Sequence, residues 1–330
     1  MTSSSPIFSV STPIADRPNS ELHKPETDAT LRVPVAGKRA LVLHGGGSAG
    51  HAWEIGIIAG LCDTGLDVTQ ADLIIGTSAG ATVAAQITSA KPAELLAAII
   101  DTAPPRTGPT GPDRGRRTLG PSTNHMEVTN IIIAAAENAS DMRRRMGAAA
   151  LEMDAAPDGS NQREWRATVA ARLPSHNWPE QLVRITAVDA HTGEPVVFDR
   201  YCGVDLVDAV AASTSNGFGV PPYTIGDRRY IDGGYRRNEN ADLAVGFERV
   251  LVLSPFGGRT RHPLEWGMQL SAQVDELRAS GSRVEAIFPD SAALAAFGTN
   301  MMDLSTRLPA AQAGFIQGKT LGEELRSFWC

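Results

Sequence analysis

Short apolar runs alternate along the chain with longer segments whose apolar positions recur at helical spacing. Lys38 to Leu43 read as a buried strand. Residues 51–63 set Trp53, Ile57 and Leu61 on one helical face, with Ile58 alongside. A second strand over 71–76 gives way, across a sharp turn, to a helix from about 79 to 89. Pro92 suits the first turn of a further helix. Residues 126–173 carry a helical pattern broken near DAAPDGSN. Strands at 182–190 and 195–199 surround an HTGE turn, and a helix covers 204–215. PYTIGDRRYIDGGY reads as a hairpin turning at Gly226-Asp227. Residues 249–255 form a strand, about 263–280 a helix, 283–288 a strand and 309–328 a closing helix. Such alternation predicts an α/β three-layer sandwich with a mainly parallel central sheet.

Two segments fall outside this pattern. Residues 1–37 are rich in Ser, Pro and Thr without the apolar core of a signal peptide, and read as a disordered tail. Residues 104–124 are dense in Pro, Gly and Arg, and read as a long loop or lid within a single domain, 38–330. Hydrophobic residues make up 42% of the 330 and charged residues 20%, as in ordinary globular proteins. A net charge of −7 argues against nucleic acid as the main partner. Arginines cluster at 114–117, 143–145, 228–229 and 236–237. A solvated face is the plain reading of these clusters and attraction to anionic lipid the sharper one. Cys62, Cys202 and Cys330 suggest neither disulfides nor zinc and fit a reducing cytoplasm. IIIAAA at 131–136 is too short to span a membrane.

The chemistry concentrates at two strand-to-helix junctions. In RALVLHGGGSAGHAWEIGIIAGL, residues 39–61, the loop admits three readings. Gly45, Gly47 and Gly50 match a dinucleotide fingerprint; His44 to Gly47 spell an HGGG oxyanion loop; or the glycines simply make a tight turn. A dinucleotide site needs an acid at the end of the next strand. That strand, DLIIG, leads into Thr77-Ser78, and Asp67 precedes it. Gly76-Thr77-Ser78-Ala79-Gly80 is instead a G-x-S-x-G nucleophile elbow, whose glycines let Ser78 stand exposed before a helix N-terminus. Asp232 in YIDGGY ends a strand and is followed by Gly233 and Gly234; alone, it reads as an ordinary Asp-Gly turn. An α/β-hydrolase triad would draw on His262, but only about 30 residues separate glycine loop and elbow, too few for the β-α unit that fold inserts there.

Four pieces, in order, carry a family resemblance: LVLHGGGSAGHAWEIGIIAGL, LIIGTSAGA, ITAVDAHTGEPVVFD and DAVAASTSNGFGVPPYTIGDRRYIDGGY. Across roughly residues 38–255 the chain resembles the bacterial patatin-like phospholipases, and LPAAQAGFIQGKTLGEEL is similar to their closing helix. The resemblance implies a patatin-like fold, and with it a serine lipid acyl hydrolase. Ser78 would be the nucleophile and Asp232 the base of a dyad without a catalytic histidine. Gly45, Gly46 and Gly47 would supply oxyanion N–H groups. In two places the chain departs from the family: Ala49 stands where Arg or Lys is usual, and SNGFGVPP replaces an apolar stretch.

The resulting expectation is an enzyme acting on lipid or phospholipid esters, with no cofactor, no metal and no nucleic acid. Peripheral membrane contact and oligomeric state are left open. Phe218, Val220 and Tyr223 are candidate acyl contacts, with packing as their plainer role, and Asn216 lies beside them. His44 and His51 read as structural, Asp189 and His191 lack the cluster a metal needs, and the five tryptophans read as core or interface. The alternatives are a silent patatin-fold binding or regulatory protein, or a Ser-Asp-His esterase using His262.

Overall fold

The computed structural model describes residues 35–102, 125–154 and 159–330. The first apolar run is β1 (Val35–Leu43), and the glycine loop itself opens α1 (Gly47–Asp63). β2 (Leu73–Gly76) and α2 (Ala79–Ile87) flank the elbow, and Pro92 starts α3 (Pro92–Asp101). Next come α4 (His125–Ala135), α5 (Ala139–Glu152) and α6 (Ser160–Ala170). They are followed by β3 (Leu182–Asp189), β4 (Pro195–Phe198), α7 (Leu206–Ser213), β5 (Tyr223–Ile225) and β6 (Arg228–Asp232). The order ends with β7 (Phe247–Leu253), α8 (Leu270–Ala279), β8 (Arg283–Ile287), α9 (Ser291–Phe297) and α10 (Arg307–Trp329).

The sheet runs β5-β6-β3-β2-β1-β7-β8, with β4 also on β3. The ladders joining β3, β2, β1, β7 and β8 are parallel, and those of β4, β5 and β6 antiparallel. Side chains alternate across the sheet and so divide the core. Leu41, Leu43, Ile74 and Leu251 pack with the apolar residues of α1, α2, α7 and α10. Ala40, Val42, Ile75 and Val252 pack on the other face with Leu270 and Leu277 of α8. A third apolar cluster seats Met142 and Met146 of α5 against Val188 and Ile231. This is the three-layer α/β arrangement that the periodicity predicts.

Register places the two key strand ends. Ile185 of β3 lies opposite both Gly76 and Phe198, and Ala187 opposite both Val196 and Asp232. β2 and β6 therefore share one edge of β3, with β4 along the other. They run toward each other, so their carboxyl ends meet head to head beside Thr186.

The differences from the sequence reading have physical causes. The predicted helix over 263–280 is a short 3-10 turn, Leu264–Trp266, stopped by Gly267 at φ 62°, before α8 begins at Leu270. α9 is short and built mostly of alanine, which leaves little periodic signal; Asp290 caps it through the Ala293 N–H. Residues 1–34 of the expected tail lie outside the described residues, while Val35 to Gly37 belong to β1. The expected lid, 104–124, and its arginines also lie outside them. Most described members of the arginine clusters are paired: Arg144 and Arg145 with Asp141, Arg229 with Asp154, Arg236 with Asp242, Arg237 with Glu276. Among the described residues no helix is long and apolar enough to cross a membrane.

α1 and α10 approach closely along a seam of glycines. A Cβ on Gly56 would stand 2.3 Å from the Ala311 carbonyl oxygen, and one on Gly318 2.3 Å from that of Ile57. Replacing a helical glycine with alanine normally gains about 1 kcal/mol from propensity. Here the clash is with backbone, which cannot step aside. Gly56→Ala and Gly318→Ala are therefore expected to destabilise the fold by about 1–3 kcal/mol, lowering the urea midpoint at unchanged slope.

Candidate active site

Ser78 caps α2 at φ 53°, ψ −120°, a conformation that L-residues avoid and that costs of order 1–3 kcal/mol. Its backbone N–H donates to Ser213 Oγ at 2.9 Å. The turn closes only because its flanks lack side chains. A Cβ on Gly76 would meet the Ala81 Cα at 2.7 Å, and one on Gly80 would stand 2.2 Å from the Leu43 carbonyl oxygen. Ser78 is thus held at the carboxyl edge of the sheet, partly accessible, with the α2 N-terminus behind it.

The glycine loop lies directly across from it. A Cβ on Gly45 would be 3.0 Å from Ser78 Cβ and 3.5 Å from Oγ. Gly46 packs on Pro255, and Gly47, at φ 58°, faces Met301 and Met302. Further into α1, the Ala49 N–H donates to the Met301 carbonyl at 2.9 Å, and the Gly50 N–H to that of Gly46 at 2.9 Å. Backbone alone can come this near the serine.

Asp232 arrives from the opposing strand end. Its Oδ1 accepts the Gly234 N–H at 2.8 Å, its own N–H donates to the Ser215 carbonyl at 2.8 Å, and Ser78 stands within side-chain hydrogen-bonding reach. Burial pushes the carboxyl up to about 6, against the pull of these two donors toward the ionised form. Among the described residues no histidine bonds the Asp232 carboxyl, and His262 Nδ1 contacts Asn238 Oδ1 and Thr260 Oγ1, both at 3.2 Å.

Sequence reasoning missed the groups that lock this junction. Thr77 Oγ1 and Thr186 Oγ1 bond each other at 2.9 Å. Asn240 Nδ2 donates to Thr77 Oγ1 at 2.9 Å and to the Gly233 carbonyl at 3.0 Å. One buried amide thereby joins the elbow to the Asp-Gly-Gly turn. Asn240 holds φ 58°, which asparagine tolerates better than most residues, but its sequence context offers no motif to mark it. The segment after α7 contributes on both sides, Ser213 holding Ser78, and the Ser215 carbonyl holding Asp232.

A family model for patatin-like phospholipases matches residues 41–245, taking in the elbow, the glycine loop and Asp232. The chain belongs to the patatin-like phospholipase family. Among solved structures it is similar to VipD from Legionella pneumophila, with 12% identity over 88% of this chain and 68% of that one at a TM-score of 0.40. It is also similar to the type III effector protein ExoU, with 15% identity over 87% of this chain and 54% of that one at a TM-score of 0.31. The chain thus spans about half of ExoU. No curated protein matches it.

In this member of the family, Ser78, Asp232 and Gly45 to Gly47 share a cavity of about 1210 Å³ with Ile55, Leu95, Ile99 and Val220. Of the proposed acyl contacts, Val220 lines it. Phe218 stacks behind His125, itself a lining residue, at 5.2 Å between ring centroids. Tyr223 does not line it: the ring is buried and its hydroxyl donates to Asp208 Oδ1 at 2.5 Å. Its place in β5 points it into the helical layer, which corrects the expectation of an acyl contact. Asn216 lines the cavity while its Oδ1 accepts the N–H groups of Phe218, Gly219 and Val220. Trp53 and Trp329 are core, whereas Trp165 lines the cavity. Burial lowers His44 and His51 to about 3 and His262 to about 4, so all three are neutral near pH 7. Among the described residues no cluster of His, Cys, Asp and Glu is arranged to hold a metal ion.

The buried Asp232 carboxylate has a stability cost. Unfolded, its carboxyl ionises near 3.8; folded, near 6. The folded state holds the proton more tightly, so stability falls as pH rises between these values. The full penalty of about 2–3 kcal/mol applies above them. Asp232→Asn is expected to raise the melting temperature at pH 8, with the gain fading as pH falls toward 4, as read by calorimetry across that range.

Proposed function

We propose that this chain is a serine lipid acyl hydrolase working through a Ser78-Asp232 dyad. The observation that carries the reading is the contact itself: a strained, accessible serine against a buried carboxyl at the wall of a largely apolar cavity. An ordinary Asp, ionising near 3.9, is a poor base for a hydroxyl. A carboxylate raised to about 6 is better matched to neutral pH while still ionised there.

In the proposed sequence, Ser78 Oγ attacks the ester carbonyl as its proton passes to Asp232. The N–H groups of Gly45 to Gly47 and the α2 N-terminus stabilise the oxyanion that forms. Collapse expels the alcohol, which takes the proton from Asp232, and leaves an acyl group on Ser78. Water then attacks the acyl carbon, its proton taken by Asp232, and the fatty acid leaves as Ser78 is restored. His262 bonds Thr260 and Asn238 rather than Ser78 or Asp232, which supports the dyad over a triad. Lipid esters are the substrate class that the family and the apolar lining favour.

With a short-chain nitrophenyl ester, Ser78→Ala is expected to lose at least about 10³-fold in kcat and to escape fluorophosphonate labelling. Full activity in this variant or in Asp232→Asn would remove the dyad, and an unlabelled native Ser78 would favour a silent binding protein. Gly45→Ala, which sets a methyl against the serine, should cost about 10²–10³-fold, as loss of an oxyanion donor does.

The pH profile offers a separate check. kcat/KM should rise through a single ionisation near 6 and then level, because the cavity histidines that ionise near 3 and 4 are already neutral there. Glu239, raised to about 7 by burial, lies outside the cavity lining, so Glu239→Gln should leave the midpoint in place.

A further inference from the structure

The cavity wall is charged against the trend of the molecule. The whole chain carries a formal charge of −7, yet among the described residues Arg172, Arg259, Arg261 and Arg307 line this space beside a single carboxylate, that of Asp232. Elsewhere some arginines with limited exposure sit on carboxylates, as Arg236 does on Asp242 at 2.7 Å and Arg237 on Glu276 at 2.6 Å. None of the four has an acidic partner among the described residues; Arg259 donates to the Phe256 carbonyl and Arg261 to Thr129 Oγ1 and Asn130 Oδ1, which leaves Arg172 and Arg307.

Both are instead held by neutral groups. Gln86 Nε2 donates to the Arg172 carbonyl at 2.8 Å, which leaves Gln86 Oε1 to accept from His51 Nε2, also at 2.8 Å. That fixes the proton of His51 on Nε2 and leaves Nδ1 as an acceptor, 3.3 Å from Arg307 Nη1. The Arg172 guanidinium lies over the Trp165 ring, 5.3 Å from its centroid. Each charge disfavours protonation of its neighbours: Arg172 opposes Arg307, and both oppose His51. Two like charges facing one cavity, oriented but not neutralised, favour an anion between them.

We propose that Arg172 and Arg307 form an anion subsite that takes the phosphate of a phospholipid headgroup while the dyad cleaves its acyl ester. This rests on the acyl hydrolase reading and adds to it the two side chains that would select for the headgroup phosphate. The planar guanidinium is suited to paired contacts with phosphate oxygens. Neutral His51 acts as a positioning residue, since it holds Arg307 without cancelling its charge.

The test compares two esters with the same acyl chains, dihexanoyl phosphatidic acid and dihexanoylglycerol. The native protein should prefer the first. Arg172→Gln and Arg307→Gln should lower the ratio of the two kcat/KM values by ~10-fold or more, and Arg307→Lys should restore part of it. Parallel loss on both esters, or a ratio that moves only in Arg261→Gln, would overturn the subsite. Glycerol 3-phosphate should inhibit hydrolysis of the neutral ester more strongly than inorganic phosphate does; equal inhibition would make the site one for free phosphate and overturn the headgroup assignment. If no ester is cleaved at all, the hydrolase reading fails. Titration calorimetry then judges the subsite alone: glycerol 3-phosphate bound by the native chain and lost in both arginine variants supports it, and no binding overturns it.

Discussion

A single buried amide keeps two strand ends in register. β2 and β6 approach each other along one edge of β3 and share no backbone ladder at the point where they meet. Asn240 closes the gap by donating to the Thr77 hydroxyl on one side and the Gly233 carbonyl on the other, with Thr186 beneath. Ser78 follows Thr77 directly, and Asp232 precedes Gly233. Any slip at this junction would therefore appear one residue away, at Ser78 and Asp232. Buried polar groups of this kind are costly when partly satisfied and specifying when fully satisfied. The methyl-free surface of Gly233, whose Cβ would fall 2.1 Å from Thr186 Oγ1, lets the knot close.

Much of this was legible in the sequence because it was local. Gly76 to Gly80 declare a tight strand-to-helix turn whatever the surroundings, and apolar periodicity separates strands from helices. What escaped was long-range. Nothing in STSNGFGVPP or NENADLA announces that Ser213, Ser215 and Asn240 converge on the elbow, since each is an unremarkable polar residue until topology brings it there. Tyr223 misled for the same reason: its position just before the hairpin suggested a cavity wall, and only the register of β5 on β6 shows the ring turned into the helical layer. The helix predicted from residue 263 failed on backbone chemistry, with Pro263 and the left-handed Gly267 cutting it short.

The site also shows how burial sorts ionisable groups by sign. Histidines around the cavity lose their charge to burial, Asp232 keeps its charge only above about pH 6, and the arginines cannot give theirs up. A cavity with apolar walls thus acquires a fixed positive bias and one switchable negative group. Strain at Ser78 and the desolvated carboxylate both weigh on stability, and the close core of the sheet and its helical layers offsets them.

The α1–α10 seam has a consequence in time. α1 begins with the glycine loop, yet its glycine face is covered by residues 307–329, and Ala49 is tied to Met301. These partners lie more than two hundred positions apart, so a ribosome finishes the elbow and Asp232 long before it supplies the helix that braces the loop. A nascent chain that has not reached residue 307 holds Ser78 and Asp232 without the helix that packs on α1 behind the glycine loop. Synthesis order thereby delays the braced loop until residues 307–329 have been made.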